Sequence, residues 1–151
     1  MFYRKEFNEW TPRIKGQAQA PVLVKTHPTR AILQDCDEEE WPPVLPDGNE
    51  IVETDNFFGM IFIPGSEKRP MRVFIPFMRT QLKKARRWIT KASSYVVDGP
   101  DGTSFQAPLF YKAYSLGNVH ETNASGNWFG FRVQVEYGLE ELAVKLSLIH
   151  I

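Results

Sequence analysis

Hydrophobic and polar positions alternate most cleanly in the second half of the chain. In "PLFYKAYSL", Phe110, Lys112, Tyr114 and Leu116 share one face, with Leu109, Tyr111 and Ala113 on the other. In "NWFGFRVQVEY", Phe129, Phe131, Val133, Val135 and Tyr137 form an apolar face opposite Trp128, Gly130, Arg132, Gln134 and Glu136. A period of two predicts half-buried strands. The link "GNVHETNASGN" is long and polar, so the pair reads as a hairpin with a long loop. Further back, "FFGMIFIPG" and "MRVFIPF" flank "SEKRP" as a second hairpin, where Pro64 and Pro76 place strand ends or an edge. "APVLVKTHP" and "RAILQD" read as two short strands separated by a turn. Residues 1–20 are polar, contain Pro12 and Gly16, and read as an N-terminal arm. "DCDEEEWPPVLPDGNE" carries three prolines and a glycine and predicts an exposed acidic loop within 35–55.

The helical period appears once, in "MRTQLKKARRWITKASSYVV", from Met78 to Val97. Leu82, Ala85, Ile89, Ala92 and Val96 recur at steps of three and four, and fall within an arc of about 80° at about 100° per residue. Arg79, Lys83, Lys84, Arg86, Arg87 and Lys91 fan over the other side. Thr80 is a candidate cap, and "DGPDG" ends the element. Strands, one helix, then two strands predict an α+β, mostly β domain over 21–145. Its order is that of an OB-fold-like small β-barrel, with the amphipathic helix between the third and fourth strands. In such a barrel the loop 117–127 would line the binding cleft.

Composition narrows the class. The chain of 151 residues is 42% hydrophobic and 24% charged, a globular balance. No apolar run reaches the roughly 20 residues of a membrane span, and "MFYRKEFNEW" lacks the apolar core of a secretory signal. With one cysteine, Cys36, there is neither an internal disulfide nor a thiol cluster for zinc. These features predict a cytoplasmic protein with no membrane partner.

The zero net charge conceals segregation. Residues 1–30, 31–67, 68–97 and 98–151 carry +4, −10, +9 and −3. Such blocks make opposed fields on a folded surface.

Catalytic patterns do not emerge. Neither a P-loop nor G-x-G-x-x-G is present. Nothing in the sequence brings Cys36 and His27 together, and a cysteine between acids has its thiolate disfavoured. Asp37 to Glu40 lack the spacing and glycine of a calcium loop. His120 reads as a surface histidine, and Asn123-Ala124-Ser125 as a chance sequon. The expectation is a protein without catalytic residues, metal or cofactor.

Binding is better supported. Like charges at i,i+4, such as Lys83/Arg87 and Arg87/Lys91, cost a few tenths of a kcal/mol each and call for an offsetting polyanion or acidic surface. Phe110-x-Lys112-x-Tyr114 and Trp128-x-Gly130-x-Arg132 alternate aromatics with cations, the pattern that stacks bases beside neutralised phosphates. The Phe110/Tyr114 face reads also, and somewhat more readily, as core, which would leave Tyr111 and the Trp128/Arg132 face outside.

"MRTQLKKARRW", "APLFYKAYSL" and "NASGNWFGFRV" carry three motifs: T-Q-[LI]-K-x-[SA]-R-x-[WL], P-[PL]-x-[FY] and N-x-x-G-[SN]-W-[FY]-G. Over 75–137 the chain resembles a group of uncharacterised phage-encoded proteins from replication and recombination neighbourhoods. These are similar to phage single-stranded DNA-binding proteins. The resemblance implies sequence-independent, non-catalytic binding of single-stranded nucleic acid. The acidic C-terminal tail common in such proteins is missing here.

"LSLIHI", residues 146–151, resembles the translation of a transposase sequencing adapter, so a natural chain diverging after about Lys145 is expected. Read otherwise, it finishes the apolar face of a helix beginning near Leu139.

The expected nucleic-acid-binding set is Arg79, Lys83, Lys84, Arg86, Arg87, Lys91, Phe110, Lys112, Tyr114, Trp128 and Arg132. The rival reading is a phage structural or assembly protein that self-associates, the −10 block of one copy meeting the +9 block of the next.

Overall fold

The computed structural model describes residues 1–14, 19–37, 39, 41–63, 69–124 and 126–138, with side chains in the last strand as far as Val135. Gly16, Pro64 and the segment 146–151, on which expectations above rest, lie outside the described residues. Two compact units make up the chain: Tyr3–Leu82, and Lys83–Ile151 with Met1–Phe2.

In the first unit, β1 (Phe2–Trp10), β2 (Leu23–His27), β3 (Glu50–Ile61) and β4 (Met71–Met78) form one sheet in the order β2-β1-β3-β4. Residues 2–10, expected as part of an arm, are therefore a central strand. The misreading has a physical cause, because this sheet carries hydrogen-bonding groups on both faces. On one face Thr26 Oγ1 donates to Asn8 Oδ1 at 2.8 Å, and Asn8 Nδ2 donates to Thr54 Oγ1 at 3.0 Å. Beside them Asn56 Nδ2 donates to Glu6 Oε2 at 2.7 Å. On the other face, Phe7, Ile51, Phe57 and Phe77 are buried, with Phe57 edge-on to Phe77 at 5.3 Å. Buried Asp55 lies among them and accepts a 2.7 Å hydrogen bond from the Tyr3 hydroxyl.

The expected hairpin around "SEKRP" is present as antiparallel β3–β4, in register from Thr54↔Met78 to Ile61↔Met71. Pro76 lies inside β4, and β4 is an edge strand, where a missing N–H is tolerated. "RAILQD" is not a strand but a 3-10 helix, Arg30–Asp35. Its apolar residues are consecutive, and a short run without alternation does not distinguish the two. The acidic segment that follows is irregular, tied to β3 by the bridges Asp37↔Val44 and Val44↔Glu50. Regular structure resumes at Glu50, inside the loop expected to reach residue 55.

The second unit contains most of α1 (Leu82–Ala92), a short hairpin of β5 (Val96–Asp98) and β6 (Ser104–Gln106), and a long one of β7 (Lys112–Asn123) and β8 (Gly126–Gly138). The buried stripe of α1 is Leu82, Ala85, Trp88 and Ala92. The helix stops five residues short of the expected Val97. Val96, expected on the stripe, is 63% exposed in β5. Thr80 sits in a 3-10 turn, Arg79–Gln81, that leads into α1.

β7 and β8 run through the segment expected as a long loop. Cross-strand pairing continues to Asn123↔Gly126, which leaves a two-residue connection. Gly126 closes it with φ 140°, a backbone angle that residues with a Cβ avoid. Polar residues at 117–127 suggested a loop, but a ribbon solvated on both faces tolerates polar side chains on each.

Among the described residues the architecture is mostly β with one short α-helix, as expected. The described strands form three separate sheets, and none closes into a barrel. The helix follows the fourth strand, not the third.

Candidate functional site

Within the second unit, α1 and the β7–β8 ribbon border a groove of about 300 Å³. Helical spacing places Lys84, Arg87, Trp88 and Lys91 on one side of α1, at i, i+3, i+4 and i+7. All four line the groove, and from the ribbon come Tyr114, Val119, Glu121, Phe131 and Arg132. Four cations thus face one carboxylate among the lining residues.

The floor is aromatic. Trp88 is buried, and its ring meets that of Tyr114 edge-on at 5.3 Å. A register shift between Ala113 and Tyr114 turns this part of β7, as bulges do. Burial pushes the Tyr114 hydroxyl up to about 12, with Tyr95 adding to the rise and Trp88 opposing it.

Glu121 organises the cationic side. Its Oε1 lies 2.5 Å from Lys84 Nζ, and its Oε2 accepts a 2.7 Å hydrogen bond from Trp128 Nε1. Lys84 Nζ is buried, so this ion pair is its compensation. Arg87, Lys91 and Arg132 are exposed and form no ion pair among the described residues.

The expected binding residues therefore divide. Lys84, Arg87, Lys91, Tyr114 and Arg132 converge on the groove. Lys83 and Arg86 are on the exposed outer side of α1. Arg79 belongs to the first unit, where it is paired with Glu50 at 3.1 Å and held at φ 52°. Phe110 is not on a strand face: it lies in the turn before β7 and is 55% exposed. Lys112 sits over the rings of Tyr95 and Tyr111, at 5.4 and 5.0 Å. Trp128 is fastened through Glu121 and does not line the groove.

The family sequence model described as Pam3 phage gp34-like protein matches residues 1–142. The chain belongs to the Pam3 phage gp34-like family. That match supports a phage origin, and it covers the groove and both units' described strands. No curated protein and no solved structure matches the chain.

In this family member, sequence reasoning missed Trp88 and Glu121. Trp88 falls on the buried stripe in place of the expected Ile89, a signal available at steps of three from Leu82. Glu121 carried no signal, since an acid in an apparent polar loop reads as solvated. Elsewhere, Cys36 and His27 do not form a pair. His27 Nε2 is 2.9 Å from Glu9 Oε2, and burial, then Asp35, pushes the Cys36 thiol up. Among the described residues no three His, Cys, Asp or Glu side chains gather as a metal site. No described helix is long and apolar enough to cross a membrane.

Proposed function

We propose that this phage protein is a non-catalytic, sequence-independent single-stranded DNA-binding protein of replication or recombination, and that the groove beside α1 is its binding site. One observation carries the reading: cations from the helix and the ribbon converge on an aromatic-floored groove with a single opposing carboxylate. A phosphate chain neutralises such a cluster and releases counterions. Tyr114 is half-buried against Trp88, and Trp128 is held through Glu121 and is not among the groove-lining residues. Phe129, 74% exposed on β8, is the aromatic available for stacking on the same ribbon. Stacking on such a ring contributes about 1–3 kcal/mol per base.

Fluorescence anisotropy with a short labelled oligonucleotide tests this. Binding should weaken linearly in log–log salt plots by about 0.7 per phosphate contact, with no dependence on base sequence. Arg87→Glu with Lys91→Glu should abolish it, both residues being exposed and outside the helix's buried stripe. Absence of wild-type binding at low salt sinks the proposal.

A further inference from the structure

Sorting charges by what they touch leaves an uneven remainder in the unit Tyr3–Leu82. Glu6 meets Arg4, Glu9 meets His27, Glu50 meets Arg79, and Glu53 meets Lys5. Asp35, Asp37 and Glu39 are exposed and have no ion pair among the described residues. Near them Trp41 is 78% exposed, an unusual cost for the largest apolar side chain.

A second remainder lies on the β3–β4 ribbon. Arg69 and Arg72 are exposed and likewise form no ion pair among the described residues. Arg72 is opposite Met60 and Phe74 opposite Phe58, so Arg72, Met60 and Phe74 share one face, on which Met60 and Phe74 are 59% and 56% exposed. Contiguous apolar surface of this kind marks a docking surface or an aggregation hazard.

The two remainders are complementary but cannot meet within one copy. The bridges Asp37↔Val44 and Val44↔Glu50 tie the acidic segment to the first residue of β3. Arg72 lies opposite Met60, near the other end of that strand. Glu50 to Met60 at about 3.3 Å per residue is about 33 Å, several times the Debye length of about 8 Å.

We infer that they meet between copies: the acidic segment with Trp41 of one molecule docks on the Arg72 face at the end of the β3–β4 ribbon of the next, with Arg69 beside it. Trp41 is the anchor, Met60 and Phe74 receive its ring, and the charge pairs form the rim. The contact is head to tail, joining different surfaces, so it propagates into a ring or filament and not a closed two-fold dimer. This goes beyond DNA binding and uses none of the groove's cations.

Sedimentation velocity of the protein without nucleic acid, over a concentration series at low and high salt, tests it. Wild type should form oligomers beyond dimer at low salt and dissociate at high salt. Arg69→Glu with Arg72→Glu should lower association at least about tenfold, as should Asp37→Arg with Glu39→Arg; Trp41→Ala should do the same, on the scale of an interface anchor. The two charge-reversed proteins, each unable to self-associate, should assemble when mixed. Circular dichroism confirms that each variant is folded. A monomer at every concentration and salt overturns the inference. So does association that survives either reversal, which would indicate a ribbon-on-ribbon contact, or a mixture that stays monomeric.

Discussion

Glu121 is the residue whose removal should separate what holds the groove together from what the groove binds. In Glu121→Gln the amide oxygen still accepts from Trp128 Nε1, so that tie persists while the charge opposite Lys84 is lost. The two side chains are each 25% exposed, so the pair is only partly screened by solvent. Stripping one partner from such a pair costs about 1–3 kcal/mol, because the other is left without its compensation. In a unit of this size that corresponds to a fall in Tm of roughly 4–24 °C. Nucleic acid should restore what the substitution removes, since a phosphate can take the place of the carboxylate beside Lys84. With Lys84 released, one further cation becomes available, and the slope of log K against log salt should steepen by about 0.7. At low salt, affinity should rise about tenfold, equivalent to about 1.4 kcal/mol. Anisotropy titrations at several salt concentrations, with thermal melts with and without oligonucleotide, give both quantities. A variant that melts lower but binds with an unchanged slope would refute the idea that Glu121 competes with phosphate for Lys84.

Burial favours the neutral form of Tyr114, so its folded pKa of about 12 exceeds the unfolded value of about 10. The stability it contributes is present below about pH 10 and is lost as pH rises toward 12; Tyr114→Phe should remove that part of the alkaline loss in denaturant melts. Hydrogen bonds from His27, then Asn49, hold the Glu9 carboxyl below its usual value. Its contribution is therefore present above the ordinary carboxylate range and lost as pH falls through the depressed value, and Glu9→Gln should flatten the acid limb of the stability curve. Asn8→Ala breaks the Thr26–Asn8–Thr54 relay. It should cost about 1–3 kcal/mol in urea unfolding with the slope unchanged.

Legibility in the sequence followed periodicity. α1 and the cores of β7 and β8 were readable because one face of each is apolar at a fixed period, and the β3–β4 hairpin because two apolar runs flank a turn. β1 was not, since "FYRKEFNEW" places Asn8 and Glu6 where an apolar residue would have announced a strand, and their partners Thr54 and Asn56 lie 46 and 50 residues away. Ribbon length failed for a related reason: nothing local distinguishes the polar half of a solvated hairpin from a loop. The groove was half legible. Its cations stood out as a cluster, and Lys84, Arg87 and Lys91 share a helical side by arithmetic alone. Which of the eleven expected residues belong together depends on pairings such as Lys84–Glu121 and Arg79–Glu50, and these join separate elements.

The same pairings resolve why a neutral chain keeps such lopsided blocks. Part of the acid is spent internally, on Arg79 and Lys5. What remains exposed divides between two sets of cations in different units: Arg69 and Arg72 on the β3–β4 ribbon, and Arg87, Lys91 and Arg132 at the groove. If the first set serves assembly and the second serves DNA, the two activities must dissociate under charge reversal. Arg69→Glu with Arg72→Glu should abolish oligomers while a single protomer's oligonucleotide affinity and salt slope stay within about twofold, measured on an oligonucleotide too short for two copies. Arg87→Glu with Lys91→Glu should abolish DNA binding while the sedimentation profile is kept. Were both substitutions to remove both activities, the cations would be acting as one undivided field. The site-by-site assignment would then fail even though each activity was real.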